Sequence, residues 1–243
     1  MRIPRIYTPQ NLLSGLSIEL DSKASNHLLR VLRLRPGALV RVFDGQGREF
    51  FAELQACGAQ SAILALTKPV VVDMESPLRI HLGQGISRGE KMDYTLQKAV
   101  ELGVASITPL FTEFTEVKLD PERLQKRMAH WQAIIISACE QSGRNYLPKL
   151  QEPRKLAIWL AQCSETLKLL MHPQDGSRLA SLDCPDQQLA LLAGAEGGFA
   201  DAEVALAKQF GFTAWQFGPR ILRTETAALA AIAALQSRWG DMA

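Results

Sequence analysis

The chain has 243 residues, 47% of them hydrophobic, with 27 Lys/Arg against 25 Asp/Glu for a formal net charge of +2. That length allows one large domain or a small one followed by a medium one, and that apolar content fills a packed core, so an ordinary soluble protein is expected. The start, MRIPRIYTPQ, lacks the apolar run of a signal peptide, and no stretch approaches the roughly 20 apolar residues that span a membrane, which predicts a cytoplasmic protein.

The charge is uneven: residues 1–70 hold nine Lys/Arg against five Asp/Glu, and residues 71–243 hold eighteen against twenty. The basic surplus therefore lies at the N-terminal end, where a polyanion would be met. Cys57, Cys139, Cys163 and Cys184 form no C-x-x-C pair and no zinc-like spacing to histidine, so reduced thiols are expected. His27, His81, His130 and His172 are scattered, with no i, i+4 pair, and no metal is expected.

In chain order, short alternating segments come first. A helix is expected over Ala24–Leu34, burying Leu28, Val31 and Leu32 and ended by Pro36-Gly37. Val40 and Val42 flank Arg41, and Phe50, Ala52 and Leu54 alternate with Glu49, Phe51 and Glu53, as strands of a β-rich domain do. Between them Asp44-Gly45 and Gln46-Gly47 supply the positive φ that a tight hairpin requires. The pattern changes near Val70–Pro77, which places a domain boundary there, giving domains at 1–72 and 73–243.

Beyond the boundary, strand and helix patterns alternate, which predicts an α/β domain with a largely parallel sheet. Strands are expected at Leu78–Leu82, Ser106–Leu110, Leu167–His172, Leu189–Ala193 and Ala214–Phe217. A helix is expected at Lys91–Leu102, stopped by Gly103. Another spans Asp120–Ser142: Asp120 suits the cap, Pro121 the first position, Leu124, Met128, Trp131 and Ile135 the buried stripe, and Gly143 the end. The last begins near Thr224, and its face of Ala228, Ile232, Leu235 and Trp239 serves either the core or a dimer contact.

Two segments carry chemistry. Gly194-Ala195-Glu196-Gly197-Gly198-Phe199 follows a strand and precedes the helix-like Asp201–Phe210. Glycines at a strand's carboxyl end let backbone approach a flat ligand, where open α/β sheets bind ligands. The spacing is neither G-x-G-x-x-G nor a P-loop, which disfavours dinucleotides and nucleoside triphosphates. Gly218-Pro219-Arg220-Ile221-Leu222-Arg223-Thr224-Glu225-Thr226-Ala227 joins the last strand to the last helix. Thr224 is a good N-cap and Glu225 suits the helix dipole, but Arg220 and Arg223 need an anionic partner there: phosphate, Glu196 or Glu225.

These two segments together resemble the paired signature of the bacterial 16S ribosomal RNA (uracil(1498)-N3)-methyltransferase family of the SPOUT superfamily. RIPRIY at 2–7, HLLRVLR at 27–33, LGQGISRGEKMD at 82–93, QKAVELGV at 97–104, ITPLF at 107–111 and ACEQSGR at 138–144 extend the resemblance over nearly the whole chain. It departs at Ala195, where the family usually has proline, and at Phe114, where relatives usually have arginine, so whatever that arginine meets on RNA or a dimer partner is given up or replaced here.

The resemblance implies a PUA-like β-barrel domain for RNA contact, then a SPOUT α/β domain with a C-terminal trefoil knot, acting as a homodimer on 16S rRNA in the small ribosomal subunit. It implies S-adenosylmethionine as cofactor, held by Leu170, Met171, His172, Gly194, Ala195, Glu196, Gly197, Gly198, Gly218, Ile221, Leu222, Thr224, Thr226 and Ala227. Uracil N3 is nucleophilic only without its proton, so Glu196 or Glu225 is expected as base and Arg223 as stabiliser of the anion. N3 lies on the pairing edge, so the uridine must be unpaired or extruded. RNA contacts are expected from Arg2, Arg5, His27, Arg30, Arg33 and Arg35, and from Arg88, Lys91 and Arg144 in the family-like stretches. A SPOUT ribose 2′-O-methyltransferase and a non-catalytic RNA-binding assembly factor remain as alternatives.

Overall fold

The structure is a computed structural model describing residues 3–57, 61–115, 120–172, 176–184 and 186–242. The chain divides into two compact units, Met1–Glu75 with Cys139–Leu147, and Ser76–Ala138 with Pro148–Ala243.

The first unit contains β1 (Arg5–Tyr7), β2 (Ser17–Glu19), helix α1 (Ser22–Asn26), β3 (Leu39–Phe43), β4 (Glu49–Cys57) and β5 (Ala62–Pro69). Its five-stranded sheet runs β1-β3-β4-β5-β2, antiparallel except where β1 lies parallel to β3. Alternation places Val40, Val42, Ala52, Leu54 and Leu64 in one core. The hairpin from β3 to β4 turns on Gly45 (φ 73°) and Gly47 (φ 96°). The Asp44 carboxylate fixes that turn by accepting the amides of Gln46 and Arg48.

The expected helix Ala24–Leu34 is corrected. α1 is capped by Asp21, which accepts the Ala24 amide at 2.7 Å, and then widens into a π-helical turn, His27–Val31. The extra residue in that turn rotates Val31 (62% exposed) and Leu32 (39%) into solvent while Leu28 stays buried. Arg33 leaves the turn with φ 55°, and Arg30, Arg33 and Arg35 are exposed around it.

Arg5 and Arg144 also depart from expectation. Arg5 is 7% exposed, pairs with Glu49 through Nε at 2.9 Å and a second nitrogen at 3.0 Å, and donates to the carbonyls of Cys139 and Arg144. Arg144, 4% exposed, forks onto Glu75 at 2.8 and 2.5 Å. Such guanidinium groups bind the chain to itself rather than to phosphate. Arg2 lies outside the described residues.

The second unit contains β6 (Arg79–Gly85), α2 (Gly89–Glu101), β7 (Ser106–Phe111), most of α3 (Pro121–Ser142), β8 (Lys149–Leu150), β9 (Arg154–Lys155), α4 (Leu156–Gln162), β10 (Leu167–Met171), β11 (Gln188–Ala193), α5 (Asp201–Gln209), β12 (Thr213–Trp215) and α6 (Thr224–Trp239). Its sheet runs β12-β10-β11-β6-β7-β8, with β9 also on β7, and every pairing is parallel. Leu189, Leu191 and Ala193 enter one core with residues of α2, α3 and α6; Ala190 and Leu192 enter another with residues of α4 and α5. A strand covered on both faces is apolar throughout, as LALLA is.

α3 begins as expected: the Asp120 carboxylate accepts the Arg123 amide at 2.8 Å. The chain leaves its end through Gly143 at φ 97°. On α6, Ala228, Ala231, Ile232 and Leu235 are fully buried in the core against α2. Ala228, Ile232 and Leu235 of the expected face therefore serve the core, and Trp239 is partly buried against it. Among the described residues no helix is long and apolar enough to cross a membrane.

Candidate functional site

The carboxyl ends of the adjacent strands β12, β10 and β11 open into loops that share one cavity of about 420 Å³, within the ~300–1,000 Å³ of small-molecule sites. Met171 ends β10 and His172 follows it, Gly194–Phe199 come from the loop after β11, and Phe217, Gly218, Arg220–Thr224 and Ala227 from that after β12 and the start of α6. Lys91 of α2 completes the lining. The two sequence segments that stood out thus meet in one place.

The glycines have separate reasons. Gly198 (φ 70°) and Gly218 (φ 73°) take left-handed backbone, and a Cβ on either would meet nothing within 4 Å, so bare backbone faces open space. A Cβ at Gly85 would stand 2.4 Å from the Ala195 nitrogen, so the end of β6 needs glycine to touch the loop. At Gly197 a Cβ would stand 2.6 Å from that of Phe114.

Gln84, which the sequence reading did not single out, joins these pieces. Its side-chain amide is buried and donates to the Gly85 and Gly194 carbonyls, both at 3.1 Å, and to the Thr224 hydroxyl at 3.2 Å. Thr224 is therefore not the N-cap. Arg223 occupies that position without a side-chain cap bond, and the Thr224 hydroxyl donates instead to the Gly194 carbonyl at 2.5 Å. Phe199 and Phe217 also line the cavity although they were not assigned to it.

Several expected residues stand elsewhere. Leu170 is fully buried among residues of α4 and α5, while Thr226 is exposed and neither it nor Glu225 lines the cavity. Glu225 keeps a buried Oε2 without a hydrogen-bond partner. His27 is half-buried and Arg88 exposed.

Glu196 lines the cavity as an ionised group. It accepts the Arg88 amide at 3.1 Å and lies 3.3 Å from Lys91 Nζ. Burial pulls its carboxyl upward, and the Arg88 amide and Lys91 more than reverse that, leaving it below the ordinary carboxylate value. No ion pair or side-chain hydrogen bond among the described residues holds Arg220 or Arg223. Two cations thus stand beside a helix N-terminus with no protein anion to meet them, an arrangement that favours an anionic or electron-rich ligand.

Other chemistries fit less well. Burial pushes the Cys139 and Cys163 thiols up to about 12, which removes them as thiolate nucleophiles at neutral pH. His81, Cys163 and Glu165 bring donor atoms within 4.8 Å of one another. Both ring nitrogens of His81 are engaged, Nδ1 with Glu165 at 2.7 Å and Nε2 with Thr108 and the Trp159 indole N–H. A cation at Nδ1 would place the ring proton on Nε2, facing that indole N–H, donor against donor.

With this geometry in view, the RNA methyltransferase domain family matches residues 74–236 and the RNA methyltransferase PUA domain family matches residues 20–67. Ribosomal RNA small subunit methyltransferase E of Buchnera aphidicola subsp. Schizaphis graminum is 38% identical over 99% of this chain and 98% of its own. The protein of that name from Neisseria gonorrhoeae, solved bound to S-adenosyl methionine, is 43% identical with a TM-score of 0.96 over 100% of both chains. A putative methyltransferase of Legionella pneumophila, solved with S-adenosylmethionine, is 41% identical with a TM-score of 0.97 over 99% of this chain and 100% of its own. On these matches the chain belongs to the RNA methyltransferase family, among the small-subunit methyltransferases E of ribosomal RNA.

Proposed function

We propose that the protein transfers the methyl group of S-adenosylmethionine to N3 of the uracil at position 1498 of 16S rRNA, on the small ribosomal subunit in the cytoplasm. The observation that carries the reading is the cavity at the ends of β10, β11 and β12, lined by bare glycine backbone at Gly198 and Gly218 and by Arg220 and Arg223, which have no ion-pair partner among the described residues. Those residues fit the cofactor: Gly198 and Gly218 would admit a flat base, Met171, Phe217 and Leu222 would give it apolar surface, and Glu196 and the arginines would offer both signs of charge to an amino acid end. When bound, the cofactor supplies a methyl group already activated on sulfur, so the protein needs no covalent intermediate.

The chain's own part is placement and electrostatics. Gln84 and Thr224 hold the Gly194 loop against α6, which sets the cavity's width. Glu196 is a weak base because its carboxyl is held low and faces Lys91. Arg220 and Arg223 instead favour the anion left when N3 loses its proton, which lowers the pKa of the base and lets solvent take the proton. The first unit, with Arg30, Arg33 and Arg35 exposed, tracks RNA phosphates. The second unit is a SPOUT domain whose C-terminal segment threads a trefoil knot, and the protein works as a homodimer.

Purified protein, labelled S-adenosylmethionine and small subunits from cells lacking the gene test the reading. Digestion to nucleosides should place the label in 3-methyluridine. Label in a 2′-O-methyl nucleoside, or none, would refute it.

A further inference from the structure

Phe114 follows β7 on a tightly built turn. The Thr115 hydroxyl accepts the Thr112 amide at 2.9 Å and lies 3.0 Å from the Thr112 hydroxyl, while the Thr115 amide donates to the Thr112 carbonyl at 3.0 Å. From α5, the Glu203 carboxylate accepts the Glu113 amide at 2.9 Å and the Ala200 amide at 3.1 Å. The turn is thus fixed at both ends of the phenylalanine.

On this turn Phe114 is 43% exposed, although a phenyl group gains most from burial. It abuts Gly197: a Cβ there would lie 2.6 Å from Phe114 Cβ, 3.0 Å from Cγ and 3.3 Å from Cδ2. Gly197 lines the cavity and Phe114 does not. The ring therefore stands against a residue that lines the cavity, on a fixed backbone turn and open on part of its surface.

An extruded base loses its stacking neighbours, and an aromatic side chain of the protein replaces them. Aromatic surface and guanidinium groups together bind unstacked nucleotides, the ring taking the base and the cations the charge, and Phe114 abuts Gly197, which lines the same cavity as Arg220 and Arg223. A contact between copies of the chain would call for an apolar surround, but Arg220, Arg223, Lys91 and Glu196 line the adjoining cavity. We propose that Phe114 is the stacking platform for the extruded uracil, holding the base beside Gly197 at the edge of the cavity. This rests on the methyltransferase reading and names how that site positions its base.

Phe114→Ala, Phe114→Leu and Phe114→Tyr separate stacking from bulk. Each variant is measured for its dissociation constant on small subunits, KM and kcat for methylation, S-adenosylmethionine affinity by calorimetry, melting temperature and oligomeric state. The alanine and leucine variants should both weaken subunit binding and raise KM about tenfold, the tyrosine variant should behave as wild type, and the other readouts should not move. A leucine variant as good as tyrosine would reduce Phe114 to bulk, lost cofactor affinity would make it a support for Gly197, and a changed oligomeric state would make it a contact between copies. Each would overturn the proposal, as would an alanine variant that binds subunits normally. The binding arm judges Phe114 even if wild-type protein binds subunits without methylating them, a result that would sink the methyltransferase reading instead.

Discussion

The Thr224 hydroxyl donates to the Gly194 carbonyl at 2.5 Å, joining the first residue of α6 to the glycine loop after β11. Thr224→Val keeps the shape and removes the donor. Among the described residues the Gly194 carbonyl then keeps only the Gln84 bond at 3.1 Å, so stability should fall by about 1–3 kcal/mol, the range for a buried group that loses a partner. S-adenosylmethionine affinity should fall with it, and Thr224→Ser should restore both. Denaturant unfolding and calorimetry on the two variants decide the point; an unaffected valine variant would show that this bond does not set the cavity.

The two open glycines and the crowded one should behave differently. Gly218→Ala places its methyl in free space at φ 73°, so its cost is backbone strain, about 1 kcal/mol. Gly197→Val drives side-chain atoms into Phe114 and should lower both melting temperature and cofactor affinity, because the turn after β7 must move. Equal melting temperatures for the two variants would contradict this assignment.

Arginines of the first unit divide into two kinds. Arg5→Ala removes the forked partner of Glu49, which is 1% exposed and keeps Arg41 Nε at 2.7 Å, and should cost about 1–3 kcal/mol of stability, the range for a buried group that loses one partner. Arg30→Ala with Arg33→Ala should leave stability unchanged but raise KM for RNA and flatten its salt dependence, the slope falling by about one for each phosphate the protein no longer neutralises. An unaltered salt slope would assign both to solvent.

Much of this was legible along the chain. Asp120 and Gly143 mark the ends of α3 because caps and left-handed exits are local events, and LALLA before GAEGGF marks a strand buried on both faces whose following loop lines the cavity. What was hidden depends on distant partners. Arg5 and Arg144 look like RNA contacts in sequence, yet Glu49 lies 44 positions and Glu75 69 positions away. Gln84 has no local signature, since its three acceptors come from β6, the loop after β11 and α6. The π-turn escaped because LLRVL fits ordinary helical spacing equally well.

The pH dependence follows from Glu196. A carboxyl held below its ordinary value of 4.5 keeps its charge through neutrality, so its pairing with Lys91 is present above that value and is lost only as pH falls through the lowered pKa. The methylation rate should therefore rise from neutral to alkaline pH as N3 loses its proton, with no acid limb from Glu196 near neutrality. Glu196→Gln should retain that shape. A Gln variant that abolishes turnover while binding cofactor normally would restore Glu196 as the base.

The most direct measurement is mass mapping of modified nucleosides in ribosomal RNA from cells with the gene, without it, and with Arg220→Ala and Arg223→Ala introduced together. A single 3-methyluridine, at position 1498 of the 16S RNA, should be present with the gene, absent without it and strongly reduced in the double variant. An unchanged 3-methyluridine in cells lacking the gene, or loss of a ribose methyl in its place, would contradict uracil N3 as the acceptor.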